Sequence, residues 1–379
     1  MIARSGPLGH VRPSRDPVPA STAGGTQATP FPFGDARAES AAVELRQPLF
    51  EPSRLLFGNK AARADAEAAR LAAGRTRQEL AAEAAGAYLE VLAVDARRRA
   101  NAAYVRSLAQ SLDETWARVE AGRALEADAL KIEQALQRAE LELLGLDEAR
   151  EVAVAALARA VGSDDPVEPG PAPDWLRRPV PSADDAVARA LEARLDLEAL
   201  DTTAEALEQR RAAVRAEAIP RLDARAAWVW TSGSPYAEDR WVEGSVVLSW
   251  VPFAAGTRGP RAAAAAAERD AVEHRASEAR RGVTIEVRSA LAALATARKG
   301  VGVGERGIEQ ATETLRVERE RHAAGRVTTN NLLEAEAGLR SQRTLFELAR
   351  LEVVRAWVDL WLATGEDDPG ALFAPAEAS

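Results

Sequence analysis

The 379-residue chain has no cysteine, and its three histidines, His10, His274 and His322, lie far apart in sequence. Disulfides, thiolate metal sites and cysteine nucleophiles are therefore excluded, and no zinc site is supported. Aromatic residues are also scarce, at 5%, although hydrophobic residues reach 47% and Ala dominates them. Such small side chains suit long helices packed side by side better than a thick globular core. Long hydrophobic runs are missing: no stretch approaches the roughly 20 apolar residues of a membrane-spanning helix. Residues 1–30 hold no continuous apolar segment of the signal-peptide kind. The formal charge is -9, but acids and bases interleave, so there is no basic stripe and nucleic-acid binding is not expected. Nor is there a nucleophile–base set, a Gly-rich phosphate loop or a metal cluster, which argues against an enzyme and against a cofactor.

What the chain has instead is a copy of itself. Ala121-Gly122-Arg123 reappears as Ala324-Gly325-Arg326, displaced by 203 residues, and the register holds outward without an insertion. Leu45 maps to Leu248, Phe50 to Phe253, Ala87 to Ala290, Leu136 to Leu339 and Gly162 to Gly365. An ungapped self-match of this length is an internal duplication, and it divides the chain. Repeat 1 covers 41–162, a Pro/Asp/Gly linker 163–181, repeat 2 residues 182–365, and a tail 366–379. Residues 1–40, rich in Pro, Gly, Ser and Thr, are read as disordered because they bury too little to offset ordering.

Within each repeat two periods alternate. Residues 41–50 alternate as a strand, with Val43, Leu45 and Gln47 on one side and Glu44 and Arg46 on the other; Pro48 and Pro52 are expected to close it. A helix of about 100 Å follows, from Arg54 to Glu120, capped by Gly122. The return helix, Leu125 to Ala160, carries apolar residues at spacings of three and four. These are Ala129, Ile132, Leu136, Ala139, Leu143, Leu146, Ala153, Leu157 and Ala160, with Arg150 in the one missing place. That is a coiled-coil seam. Its copy runs from Leu332 to Ala363, interrupted by Gln342.

Ser182 is expected to cap one helix reaching Ala218, stopped by Pro220. Two strands follow. Leu222, Ala224, Ala226, Trp228 and Trp230 share a face, as do Val242, Gly244, Val246, Leu248 and Trp250. Strands of about ten residues, apolar on one side and with Trp near the ends, fit a transmembrane β-barrel hairpin or a hairpin of a soluble sandwich. In the second long helix, Arg258 to Ala323, Gly300, Gly302, Gly304 and Gly307 predict a kink or local fraying. Tyr88 is read as packing between helices, and His274 and His322 as surface residues.

The duplicated order of strand pair, very long helix, Gly turn and return helix resembles the TolC-like outer-membrane efflux protein family. The segments that carry the resemblance include Leu248-Ser249-Trp250-Val251-Pro252-Phe253 and its twin Leu45-Arg46-Gln47-Pro48-Leu49-Phe50. Ala87-Tyr88-Leu89-Glu90-Val91-Leu92, Arg194-Leu195-Asp196-Leu197 and Ile219-Pro220-Arg221-Leu222 match as well. The resemblance covers about residues 41 to 365. It implies a mainly α chain with a small β part: antiparallel helical hairpins forming the protomer of an α-barrel, plus strands of a transmembrane β-barrel. The expected assembly is a homotrimer in the outer membrane with a periplasmic extension. Its implied partners are a periplasmic adaptor, an inner-membrane transporter and outer-membrane lipid.

The same resemblance places a periplasmic aperture at Asp128 and Lys131 in repeat 1 and at Asn331 and Glu334 in repeat 2. It places adaptor contacts at Gly122, Arg123, Gly325 and Arg326. Trp228, Trp230, Val242, Val246, Leu248 and Trp250 become the lipid-facing strand surface. The counterpart of 222–230 is 19–27, which has no strand pattern. Three strands are therefore expected per chain, and the start is read as misplaced or truncated. The functional expectation is a passive, gated conduit of a tripartite export system. The alternatives are a soluble coiled-coil scaffold and a truncated, non-functional copy.

Overall fold

A computed structural model describes residues 39–232, 240–253 and 256–366. The expectations for residues 1–38, for the tip of the hairpin at 233–239 and for the tail beyond 366 lie outside the described residues. In chain order the elements are β1 (Glu39–Phe50), a π-helical turn (Ser53–Gly58), α1 (Asn59–Glu120) and α2 (Glu126–Val161). Then come α3 (Ala183–Ala193), α4 (Leu195–Ala216), β2 (Arg221–Ser232), β3 (Arg240–Ser249), α5 (Arg258–Ala323) and α6 (Thr329–Thr364). No helix among the described residues is long and apolar enough to cross a membrane. The chain divides into two compact units: 1–67 with 201–273, and 68–200 with 274–379.

The first unit is built on a three-stranded antiparallel sheet ordered β1-β2-β3. Its register sorts the side chains as the two-residue period requires. Val43 lies opposite Trp228, which lies opposite Val242; Leu45, Ala226 and Gly244 form the neighbouring row. The other face carries charge: Glu44, Ala227 and Glu243 in one row, then Arg46, Arg225 and Ser245. Like charges directly opposite repel; Asp223, with a side chain 2% exposed, offsets Arg46 with an ion pair of 2.9 Å. Pro48 does not end β1. The register shifts between Pro48 and Phe50, a bulge that accommodates a residue without an N–H on the outer strand of the sheet.

In the same unit, Arg258 fastens the entry to α5 by donating to the carbonyls of Glu217, Pro252 and Val251. Trp250 falls just beyond β3 rather than inside it, because its indole Nε1 donates to the Ala218 carbonyl at 3.0 Å.

The second unit holds the helical hairpins. Every apolar seam position of α2 is buried or half-buried, and so is each one of α6 from Leu332 to Ala363. Arg150 fills the gap in the α2 seam by reaching sideways to Asp95 at 2.8 Å and Glu168 at 2.5 Å. That pairing holds the Glu168 carboxyl below the usual carboxylate range. Tyr88 is half-buried and donates to the Gly170 and Pro171 carbonyls, so it anchors the linker as well as packing.

Two expectations fail here. The helix expected from Ser182 to Ala218 breaks at Arg194, which adopts extended backbone (ψ 117). Its guanidinium, 6% exposed, turns inward to Asp196, Glu286 and the Ala363 carbonyl. An anchor of that kind outweighs local helix preference. The fraying expected at the glycine cluster in α5 is absent: the helix is continuous from Arg258 to Ala323. The glycines instead admit α6: a Cβ on Gly304 would sit 3.0 Å from Phe346 Cα, and one on Gly307 would sit 2.3 Å from Gln342 Oε1.

Candidate functional site

Both hairpin turns are built alike because their sequences are alike. Gly122 and Gly325 adopt φ of 68° and 70°, the left-handed region that favours glycine. Arg123 N–H donates to the Arg118 carbonyl and Arg326 N–H to the Arg321 carbonyl, each at 2.8 Å. These are Schellman caps, which satisfy the last carbonyls of α1 and α5. Arg123 and Arg326 themselves are exposed, and no atom lies within 4 Å of a Cβ added at either glycine.

The expected aperture residues fall into two unlike pairs. Asp128 and Lys131, one helical turn apart on α2, face each other at 3.8 Å. Asn331 is exposed and its side-chain oxygen accepts from Thr328 Oγ1 at 2.5 Å. Asn331 and Glu334 both line a groove of about 470 Å³ between α5 and α6, together with Gln310, Thr314 and Glu318. Repeat 1 thus pairs its own acid, whereas Glu334, which occupies the seat of Lys131 in repeat 2, stands exposed on its groove with no ion pair among the described residues.

Sequence reasoning missed a buried polar seam running from these turns along the second unit. His322 is buried, not a surface residue, with its ring between Arg118 and Thr329. Burial and the nearby Arg118 charge push its pKa below the ordinary value. Further along, the Glu336 side chain, 0% exposed, accepts from Ser111 Oγ at 2.8 Å and from Arg319 at 3.1 Å. Arg340 donates to Asn101 Oδ1 at 3.0 Å, pairs with Glu142 and lies 4.9 Å over the Tyr104 ring. A signal for His322 existed: the duplication sets it over Val119, an apolar position.

On the sheet, four of the residues expected to face lipid, Trp228, Val242, Val246 and Leu248, form one exposed apolar surface, while Trp250 lies beyond β3. Val242 is 75% exposed, Leu248 68%, Val246 66% and Trp228 43%, while Trp230 is half-buried. Leu45 and Val43 extend that surface onto β1. An apolar area of this breadth on a protein surface marks a membrane or partner contact. Among the described residues no group of acids and histidines is arranged to hold a metal ion.

A family model described as outer membrane efflux protein matches residues 20–163 and 186–366, both repeats with the linker left between them. No curated protein sequence matches the chain. Among solved structures, a membrane protein from Pseudomonas aeruginosa is similar with a TM-score of 0.70 at 21% identity, over 86% of this chain and 83% of that one. The outer membrane protein VceC of Vibrio cholerae gives a TM-score of 0.73 at 17% identity, over 91% and 84%. The MtrE outer membrane channel of Neisseria gonorrhoeae, solved in its open state, gives 0.69 at 18% identity, over 87% and 76%. Likenesses this distant in sequence establish the fold, and the family match covers most of the chain. The chain belongs to the outer membrane efflux protein family, as an outer-membrane channel subunit of a tripartite efflux system.

Proposed function

We propose that three copies of the chain assemble into one passive, gated conduit. The strands contribute to a β-barrel in the outer membrane, and the α1–α2 and α5–α6 hairpins line a tube through the periplasm. The observation that carries this reading is the two-faced sheet. One face exposes Val43, Leu45, Trp228, Val242, Val246 and Leu248, and the other carries Glu44, Arg46, Asp223, Arg225 and Glu243. Lipid outside and water inside ask for that alternation. An unpaired sheet edge is not viable in hydrocarbon, so the free edges of β1 and β3 are assigned to further strands of the assembly. A soluble scaffold has no use for such a surface.

The turns at Gly122-Arg123 and Gly325-Arg326 are assigned to a periplasmic adaptor, through which an inner-membrane transporter supplies the energy. The mouth lies beside them, with Glu334 supplying one carboxylate per copy. Asp128 contributes little there because Lys131 faces it. Repeated three times, Glu334 would favour cations.

The test is reconstitution. The full chain extracted in detergent is expected to run as a trimer and to conduct ions in planar bilayers; a detergent-free monomer without conductance overturns the reading. Glu334→Gln is expected to move the reversal potential in a salt gradient towards lower cation preference. An unchanged potential removes Glu334 from the mouth.

A further inference from the structure

His322, at the end of α5, touches both hairpins of the second unit. Arg118 of α1 brings Nη1 to 3.3 Å from the His322 Nδ1 and donates from Nη2 to the His322 carbonyl at 3.0 Å. On the other side, His322 Nε2 lies 3.4 Å from Thr329 Oγ1 of α6. A guanidinium only donates, so Nδ1 must accept, and the single ring proton belongs on Nε2, facing Thr329. Only the neutral ring satisfies both neighbours.

The charged groups acting on the ring are Arg118 from α1, Asp128 from α2 and Glu336 from α6. On its own helix, Glu318 pairs with Arg321 and Arg319 pairs with Glu336. Burial comes first and Arg118 second in disfavouring the charged ring, against a smaller opposing pull from the two carboxylates. Beyond this contact, the seam continues through Ser111 to Glu336, Ser107 to Arg319 and Asn101 to Arg340. Each of those ties joins α1 to α5 or α6, and His322 is the member next to the turns.

We propose that the Arg118–His322 contact is a proton-sensitive latch between the two hairpins, closed while the ring is neutral and released when Nδ1 takes a proton. The inference rests on the reading above that the turns form the mouth of the channel. The step is a single proton transfer from solvent to Nδ1. It removes the acceptor that Arg118 uses and leaves two cations in contact. Because the folded state holds the pKa below its ordinary value of about 6.5, the latch contributes fully above that pH. Its contribution is lost as pH falls through the lower, folded-state value. The closed form is therefore the neutral-pH form, and acid favours opening.

The experiment records conductance of the full chain in planar bilayers from about pH 7.5 to about pH 5, the range in which histidine titrates. Mean conductance is expected to rise severalfold with a midpoint below about 6.5. His322→Gln keeps an acceptor for Arg118 but cannot titrate, and its profile is expected to be flat at the low level. Arg118→Gln leaves no second cation to repel the protonated ring, and its amide can donate to or accept from Nδ1, so its acid response is expected to be lost; this arm also decides the matter if His322→Gln fails to assemble. A wild-type channel that conducts equally across the range overturns the latch. So does a His322→Gln or Arg118→Gln channel with the wild-type response. Absence of conductance at every pH instead overturns the channel reading on which the latch rests.

Discussion

Gly162 and Gly365 occupy equivalent places in the two repeats, and substituting each by Ala separates two costs that usually come together. Both end a return helix in the left-handed region, with φ of 70° and 72°. An alanine there costs about 1–2 kcal/mol, whatever the surroundings. At Gly162 nothing lies within 4 Å of the added Cβ, so the loss stops there. At Gly365 the Cβ would lie 2.8 Å from Arg194 Cγ, 3.0 Å from its Cα and 3.2 Å from its N. Backbone atoms cannot swing aside. Arg194 is also held by Asp196 at 2.8 Å and Glu286 at 2.5 Å, while Gln78 donates to the Gly365 carbonyl at 3.4 Å. Overpacking of a well-filled site adds about 1–3 kcal/mol, for a total of about 2–5 kcal/mol. Thermal unfolding followed by far-ultraviolet circular dichroism should lower the midpoint clearly more for Gly365→Ala than for Gly162→Ala. Equal shifts would refute the claim that Arg194 and the end of α6 form one rigid joint.

The glycines of α5 provide a second paired test. Gly302→Ala meets only the tip of Arg306 at 3.9 Å and should stabilise by up to about 1 kcal/mol through helix propensity. Gly304→Ala should destabilise by about 1–3 kcal/mol, because Phe346 is in the way; denaturation midpoints that move in the same direction for both would refute the close-approach account. Arg150→Ala should free the linker from α2 and speed proteolytic cleavage within 163–181, measured by fragment mapping; unchanged cleavage would show that Tyr88, buried Trp175 and the Arg298 bond to the Arg178 carbonyl hold the linker without it. Ser111→Ala should cost about 1 kcal/mol, read from the same midpoints, since it removes a partner from buried Glu336.

Much of this fold was legible because periodicity survives in a chain poor in aromatics. The alternation of Trp, Val and Leu with charge in 222–230 and 241–249 is recovered in the sheet register, row by row. The spacing in α2 and α6 predicts their buried seams. Departures from the pattern arise where a residue answers to something distant in sequence. Arg194 looks like a helix residue until Glu286 and Ala363 are placed beside it. Pro48 reads as a stop unless it lies on the outer strand of a sheet at a bulge. Gly304 and Gly307 read as weakness until Phe346 and Gln342 fill the space they leave.

The candidate site divides in the same way. The turns declare themselves through Gly122 and Gly325, whose positive φ is a local requirement. The seam of His322, Glu336 and Arg340 is dispersed over separate helices, and only the overlay of repeats hints at it by setting His322 over Val119. Asp128 and Glu334 look alike as helix-start acids, yet Lys131 stands beside one, and among the described residues no cation pairs with the other.

Transverse sections from electron cryo-microscopy of the detergent-extracted particle test the central claim most directly. The account predicts three copies of the α1–α2 and α5–α6 hairpins arranged around an open axis. A solid bundle, or a particle containing a single chain, would contradict it.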